Sequence, residues 1–261
     1  MRLIILILLL ISTASFSQST ESILDVLGGI KNSLNHISAF ESTVYIHKVS
    51  PRKVTSFNYL YKQDDNGNKV AQVNDDIKQV HVKNKFGYFF VFRNEVLKQE
   101  RDFPFEGPTD FLEQMDLETA TSNFNFQVHS ETNDHFVLNL QPFIRGGQSI
   151  DEFFQNTITT LRLTLSKNPP LLKKVELFRN NSIRASSWVI FDYSFIDNHK
   201  SKAQTFKHKL IKEKLPVPTY IKSVTIVEKN DDVQTHIKET RFTDVNLRPT
   251  FGDDEFDEEA Y

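Results

Sequence analysis

From Phe40 onward, apolar residues recur at every second position, and this period constrains the fold of the chain more than any other feature. Successive side chains of a β-strand point to opposite faces, so the alternation is typical of strands and not of helices. The alternating segments continue to Asn246 and are separated by short turns, such as the one at residues 64–68. They predict a mainly β, α+β chain with about ten or eleven antiparallel strands.

A helix is predicted before the first strand. Ser22 and Asp25 have the spacing of a capping box, and apolar residues follow at helical intervals as far as residue 34. Gly28 and Gly29 interrupt this pattern, and they indicate either a weakened helix or a close packing contact.

Four further segments lie between the strands or after the last of them. A short central helix is predicted from the cap residue Thr109 through Met115, and residues 143–156 are predicted to form a loop. Residues 200–214 are basic and are interpreted as a solvated loop, or alternatively as a docking or membrane-surface segment. The acidic tail from Gly252 is interpreted as a solvated end, which could also pair with the basic stretch or with a partner.

Phenylalanine is the residue on which the core depends, since the chain has 23 of them. In the segment 86–92 both faces are apolar, which predicts a strand that is covered on both sides. The aromatic surplus either fills a large core or lines an apolar cavity.

The first 17 residues have the layout of a secretory signal peptide. Arg2 precedes an apolar run over residues 3–11, and Ser15 and Ser17 precede a cleavage site before Gln18. The run is about half the length that a membrane-spanning helix needs. We therefore expect a signal peptide at 1–17 and a single domain at 18–261.

The amino-acid composition limits the expected cellular location and the classes of binding partner. The chain has no cysteine, which a lipid-anchored lipoprotein would need at its new N-terminus, so a soluble, unlipidated exported protein is expected. The formal net charge of −3 leaves no basic excess for neutralising the phosphates of a nucleic acid. We expect a monomer that binds no nucleic acid.

No catalytic motif stands out. The chain lacks a nucleophile elbow, a P-loop and a dinucleotide fingerprint. His129 and His135 flank one turn and are the nearest pair to a metal site, but polar residues on a hairpin explain them better. The sequence predicts no catalytic residue, no metal and no cofactor, and a protein that is not an enzyme.

Several motifs in order resemble the periplasmic outer-membrane lipoprotein carrier family, also called lipoprotein-sorting or LolA-like proteins. They are the opening helix running into residues 40–43, the glycine–aromatic strand and turn 87–97, the short helix 108–115, the strand 136–142 that ends in Leu-x-Pro, the closing strand 241–246 and the acidic residues 253–256. The resemblance implies a strongly curved, half-open β-barrel whose concave face is covered by the N-terminal and central helices. It also implies an arginine that holds the cover shut, for which Arg52 and Arg93 are the candidates.

The implied function is that of a carrier that binds acyl chains of lipoproteins or other lipids, with a membrane protein as a further docking partner. The predicted lining residues are large, apolar and drawn from three strands: Phe57, Tyr59, Tyr61, Phe89, Val91, Trp188 and Ile190. Three alternatives stay open at this point. They are a regulatory sensor on the same fold, an envelope hydrolase, and a structural protein whose phenylalanines are only core.

Overall fold

The computed structural model describes residues 22–30, 33, 37, 39–73, 79–93, 95–110, 124–142, 160–179, 183–198, 213–229 and 232–261. Some predicted segments lie outside these ranges. They are the signal peptide, the central helix beyond Asp110, the loop 143–156 and the basic stretch up to residue 212.

The described residues form one helix, α1 at 22–30, thirteen strands and a 3-10 turn at Glu258–Ala260. The first six strands are β1 Phe40–Ser50, β2 Lys53–Gln63, β3 Lys69–Val73, β4 Gln79–Asn84, β5 Gly87–Phe92 and β6 Glu95–Gln99. The other seven are β7 Phe124–Glu131, β8 His135–Pro142, β9 Thr160–Ser166, β10 Leu171–Phe178, β11 Ser187–Asn198, β12 Glu213–Lys229 and β13 Asp232–Asn246.

All thirteen strands belong to one antiparallel sheet in the order β6-β5-β4-β3-β2-β1-β13-β12-β11-β10-β9-β8-β7. Strands that follow each other in the chain are neighbours, as is usual for consecutive elements. The exceptions are β6 and β7, which form the two edges, and the pair β1–β13, which joins the two halves. The first and last strands therefore lie side by side in the middle of the sheet.

This architecture confirms the prediction of a mainly β, antiparallel chain but corrects two details. The predicted count of ten or eleven strands is too low. Thirteen strands are present because every short extended segment, including β3 and β6 with 5 residues each, pairs with a neighbour in the sheet. The sheet is also open in the described part of the chain, where β6 and β7 do not pair, so it does not close as a barrel would.

Helix α1 packs on one face of the sheet, which we call the inner face. Its buried residues Ile23, Leu27 and Ile30 share a core cluster with strand residues from both halves of the sheet, including Val44 and Leu138. Each such side chain contributes about 1.5–3 kcal/mol by leaving water.

No helix among the described residues is long and apolar enough to span a membrane.

The opposite, outer face carries a second cluster on β3, β4 and β5. Its buried members are Val70, Val80, Val82, Phe89 and Val91. Phe256 and Tyr261 of the tail, defined here as residues 251–261, pack against this cluster. The tail is thus docked on the sheet and is not the solvated end that its acidic composition predicts.

The two glycines of α1 have different surroundings. A Cβ at Gly29 would lie 2.7 Å from the ring of Pro170, whereas a Cβ at Gly28 would meet nothing within 4 Å. Gly29 is therefore the close packing contact that the sequence left as one alternative.

We expect Gly28→Ala to stabilise the fold by up to about 1 kcal/mol, because alanine is the better helix former. Gly29→Ala is expected to destabilise it by about 1–3 kcal/mol, because Pro170 must move. Urea denaturation of the two variants measures the difference. Equal effects of both changes would contradict the packing of α1 against Pro170.

Candidate functional site: the strapped aromatic face

The inner face of β2 to β6 carries a layer of mostly aromatic and apolar side chains arranged in rows. Residues directly paired across antiparallel strands project to the same face, so each row shares one side of the sheet. One row consists of Tyr61, Ala71, His81, Phe90 and Leu97, and the next of Tyr59, Val73, Gln79, Phe92 and Glu95.

After β6 the chain returns across this layer as residues 101–110, which we call the strap. The Phe105 ring lies 4.8 Å from that of Tyr59 and 4.6 Å from that of His81. Phe103 lies 5.6 Å from Tyr88 in an edge-on contact. Such ring pairs contribute about 0.5–1.5 kcal/mol each beyond the area that they bury. The strap therefore places two rings on the inner face, where they contact side chains of β2, β4 and β5.

Polar contacts hold the strap at Glu106. The Tyr59 hydroxyl donates to the Glu106 backbone carbonyl at 2.9 Å, and the Lys238 ammonium donates to the Glu106 carboxylate at 2.6 Å. Burial raises the pKa of Tyr59 well above its usual value, so this hydroxyl stays a neutral donor. The strap is thereby tied to β2 and, through Lys238, to β13.

A second attachment lies at Asp110, which is 5 % exposed. Its carboxylate accepts hydrogen bonds from the Tyr61 hydroxyl at 2.9 Å and from the Gly107 backbone N–H at 2.7 Å. The Lys69 ammonium donates to the other carboxylate oxygen at 2.5 Å. Three donors from β2, β3 and the strap thus converge on one buried anion, which we call the Asp110 clasp.

The strap passes closest to the sheet at Gly107. A Cβ there would lie 2.5 Å from the Phe40 ring and 2.8 Å from the Tyr61 ring. Phe40 and Tyr61 are themselves stacked, with centroids 5.4 Å apart and planes 6° from parallel. Only a residue without a side chain fits in this place.

His81 is a histidine within the aromatic layer. Its Nδ1 lies 2.6 Å from the Tyr88 hydroxyl, and its ring packs against Phe90 and Phe105. Burial, and then the positive charge of Arg101, lower the pKa of His81 to about 4. The imidazole is therefore neutral at neutral pH, and the layer carries no charge at this position.

The strap leaves one margin of the layer open. Phe57 is 37 % exposed and Leu97 is 50 % exposed, whereas Tyr59 and Tyr61 are fully buried. Phe90 and Phe92 are half-buried and stack at 5.9 Å. An apolar surface thus runs from the buried rings to the β6 edge of the sheet.

The structure divides the seven predicted lining residues between two faces. Phe57, Tyr59 and Tyr61 lie on the inner face. Phe89 and Val91 lie on the outer face under the tail. Trp188 and Ile190 alternate along β11 with residues 189 and 191 of the inner core, so they also project outward.

Other site residues were not singled out from the sequence as lining. On β5 the even positions Phe90 and Phe92 face inward. Both faces of this strand are apolar in the sequence, so the alternation does not indicate which face is the inner one. Phe103 and Phe105 lie next to Pro104, where the sequence indicates a break between strands. The arginine candidates Arg52 and Arg93 lie at the turns after β1 and β5, and the cations that contact the strap carboxylates are Lys69 and Lys238.

The described residues offer little for metal chemistry. Within the part of the chain that the structure describes, no group of three or more histidine, aspartate or glutamate residues could hold a metal ion. The carboxylates of Glu106 and Asp110 are engaged by lysine and tyrosine.

Comparison with solved structures gives matches over most of the chain. A LolA superfamily protein from Nitrosomonas europaea matches with 14 % identity and a TM-score of 0.44, over 87 % of this chain and 96 % of the other. The chain is similar to LolA superfamily structures. This agrees with the family resemblance predicted from the sequence.

Two further solved structures match. A putative outer membrane lipoprotein-sorting protein domain from Vibrio parahaemolyticus has 11 % identity and a TM-score of 0.46, over 92 % of this chain and 96 % of the other. The complex of MucA and MucB from Pseudomonas aeruginosa has 10 % identity and a TM-score of 0.26, over 85 % and 99 %. No protein-family model and no curated protein matches the chain.

Proposed function

We propose that the chain is a periplasmic carrier-like protein that binds acyl chains of lipoproteins or other lipids without chemistry. The supporting observation is the half-covered aromatic layer, where Phe57 is exposed beside the fully buried Tyr59 and Leu97 is exposed beside the half-buried Phe90. Apolar side chains in this arrangement form a surface that continues inward beneath the strap. The signal peptide predicted at 1–17 supports the periplasmic address.

The physical basis is the cost of keeping an acyl chain in water. Each CH₂ group that leaves water contributes about 0.8 kcal/mol, so a diffusing carrier needs a continuous apolar surface. Rings and aliphatic side chains provide attraction without fixed directions, which suits a ligand that must later be released. We propose the inner-face residues Phe57, Phe90, Phe92 and Leu97 as the first contact surface, with Tyr59 and Tyr61 reached when the strap moves.

The test is a titration of the protein with a fluorescent 16-carbon fatty acid. We expect saturable binding, and we expect Leu97→Asp to weaken it about tenfold, since burying a leucine is worth about 1.5–3 kcal/mol. Leu97 is exposed on the edge strand, so this change should not prevent folding.

Val233→Asp serves as the matched control, because Val233 is 62 % exposed at the β12–β13 turn, on strands that carry none of the proposed contact residues. Its binding constant should equal that of the unmodified protein. No saturable binding of the fatty acid, or equal weakening by both substitutions, would refute the proposal.

A further inference from the structure

The tail and the strap are attached to opposite faces of the same strands. On β2, Tyr61 contacts the strap and the next residue, Lys62, pairs with Glu255 of the tail at 2.5 Å. On β3, Lys69 bonds to Asp110 of the strap, and Val70 lies in the outer cluster under the tail.

The same alternation continues on the next two strands. His81 of β4 packs on Phe105 of the strap, and its neighbour Val82 belongs to the outer cluster. Tyr88 of β5 contacts Phe103 of the strap, and Phe89 belongs to the outer cluster. Four strands in succession therefore carry a strap contact on one residue, and on the adjacent residue either an ion pair to the tail or a member of the outer cluster against which the tail packs.

Polar contacts attach the tail in addition to Phe256 and Tyr261, the two tail rings that pack against the outer cluster. Asn84 donates its side-chain amide to the Phe256 carbonyl at 3.2 Å and to the Glu258 carboxylate at 2.6 Å. Within the tail, the Tyr261 hydroxyl donates to the Glu255 backbone carbonyl at 3.0 Å, which fixes the shape of the docked segment. Burial and the nearby Glu255 raise the pKa of Tyr261 to about 12, so the ring stays neutral in its position.

We propose that the tail is a conformational control element, whose docking on the outer face stabilises the strap on the inner face. The mechanical link is the short strands β3, β4 and β5, which are 5 or 6 residues long. Such short strands are held in position by packing on both faces. Loss of the tail from the outer face therefore weakens the packing of the strap on the inner face. Release of the tail then uncovers the aromatic layer, and any partner that binds the tail regulates access to it.

Hydrogen–deuterium exchange of the full chain, followed by mass spectrometry, tests this coupling. Phe256→Ala removes the main tail ring, and we expect amides of the strap and of β3–β5 to exchange roughly fivefold faster or more, the lower end of the usual coupling range. Glu255→Gln removes the ion pair to Lys62 without leaving a cavity, and a smaller change in the same direction is expected.

Linkage requires the effect to be reciprocal. Phe105→Ala in the strap should therefore speed exchange in the tail. Val175→Ala is the matched control, because Val175 is buried in β10, in the other half of the sheet. That variant should leave the relative protection of strap and tail unchanged.

Faster exchange confined to the tail in both tail variants would overturn the proposal. Uniform acceleration across the whole sheet would overturn it as well, since that pattern reports only lower global stability. The measurement needs no ligand, so its outcome is independent of whether the chain binds acyl chains.

Discussion

Asp110→Ala is expected to lower the free energy of unfolding by about 2–4 kcal/mol. The carboxylate is 5 % exposed and accepts from Tyr61, Gly107 and Lys69. Removing it leaves a lysine charge, a hydroxyl and an amide without their shared partner in a site that water enters poorly. The Lys69 side chain keeps 19 % exposure, and its partial rehydration places the loss below that of a fully buried pair.

Guanidinium chloride denaturation measures this loss, and Glu131→Ala is its control. Glu131 pairs with Lys167 at 2.7 Å, but its side chain is 44 % exposed. An exposed pair contributes between zero and about 1 kcal/mol. If the two variants lose the same stability, the Asp110 clasp does not hold the strap as described.

The strap could not be predicted from the sequence. Strands were predictable because alternation along each of them reports burial on one face. Phe103 and Phe105 also alternate, but Pro104 and Gly107 lie among them and indicate a break. Their burial depends on rings of β2 and β4 that are remote in sequence, and a local pattern does not contain that contact.

The inward face of β5 was ambiguous for a related reason. Both faces are apolar in sequence, since Phe89 packs under the tail while Phe90 lies in the inner layer. The docking of the tail was equally hidden, because six acidic side chains surround Phe256 and predict solvation. Lys62 and Asn84, which hold the tail, are ordinary polar residues of β2 and β4 in the sequence.

The central pairing of β1 with β13 shows what the resemblance adds to the pattern. Alternation predicts each of these strands but not their contact across most of the chain length. The order of motifs, with a helix first and a closing strand near the end, is what suggested a single curved sheet. The other neighbouring strands follow each other in the chain, although residues 143–159 separate β8 from β9 and residues 199–212 separate β11 from β12.

Phe40→Ala is expected to cost about 3–5 kcal/mol, because its ring is fully buried and stacks on Tyr61. Gly107→Ala alone is expected to cost about 1–3 kcal/mol, since its new methyl group would lie 2.5 Å from the Phe40 ring. In the double variant the methyl group enters the space that the ring has left, and Tyr61 gains room to shift. The double variant should therefore lose less stability than the sum of the two single losses, by about 0.5–3 kcal/mol.

A double-mutant cycle from urea denaturation gives this coupling directly. The control cycle combines Phe40→Ala with Gly28→Ala, because a Cβ at Gly28 meets nothing within 4 Å. Distant, independent changes should add within about 0.5 kcal/mol. Additivity in both cycles would show that the strap does not lie on the Phe40 ring. Coupling in the first cycle alone would locate the strap where it covers the buried end of the aromatic layer.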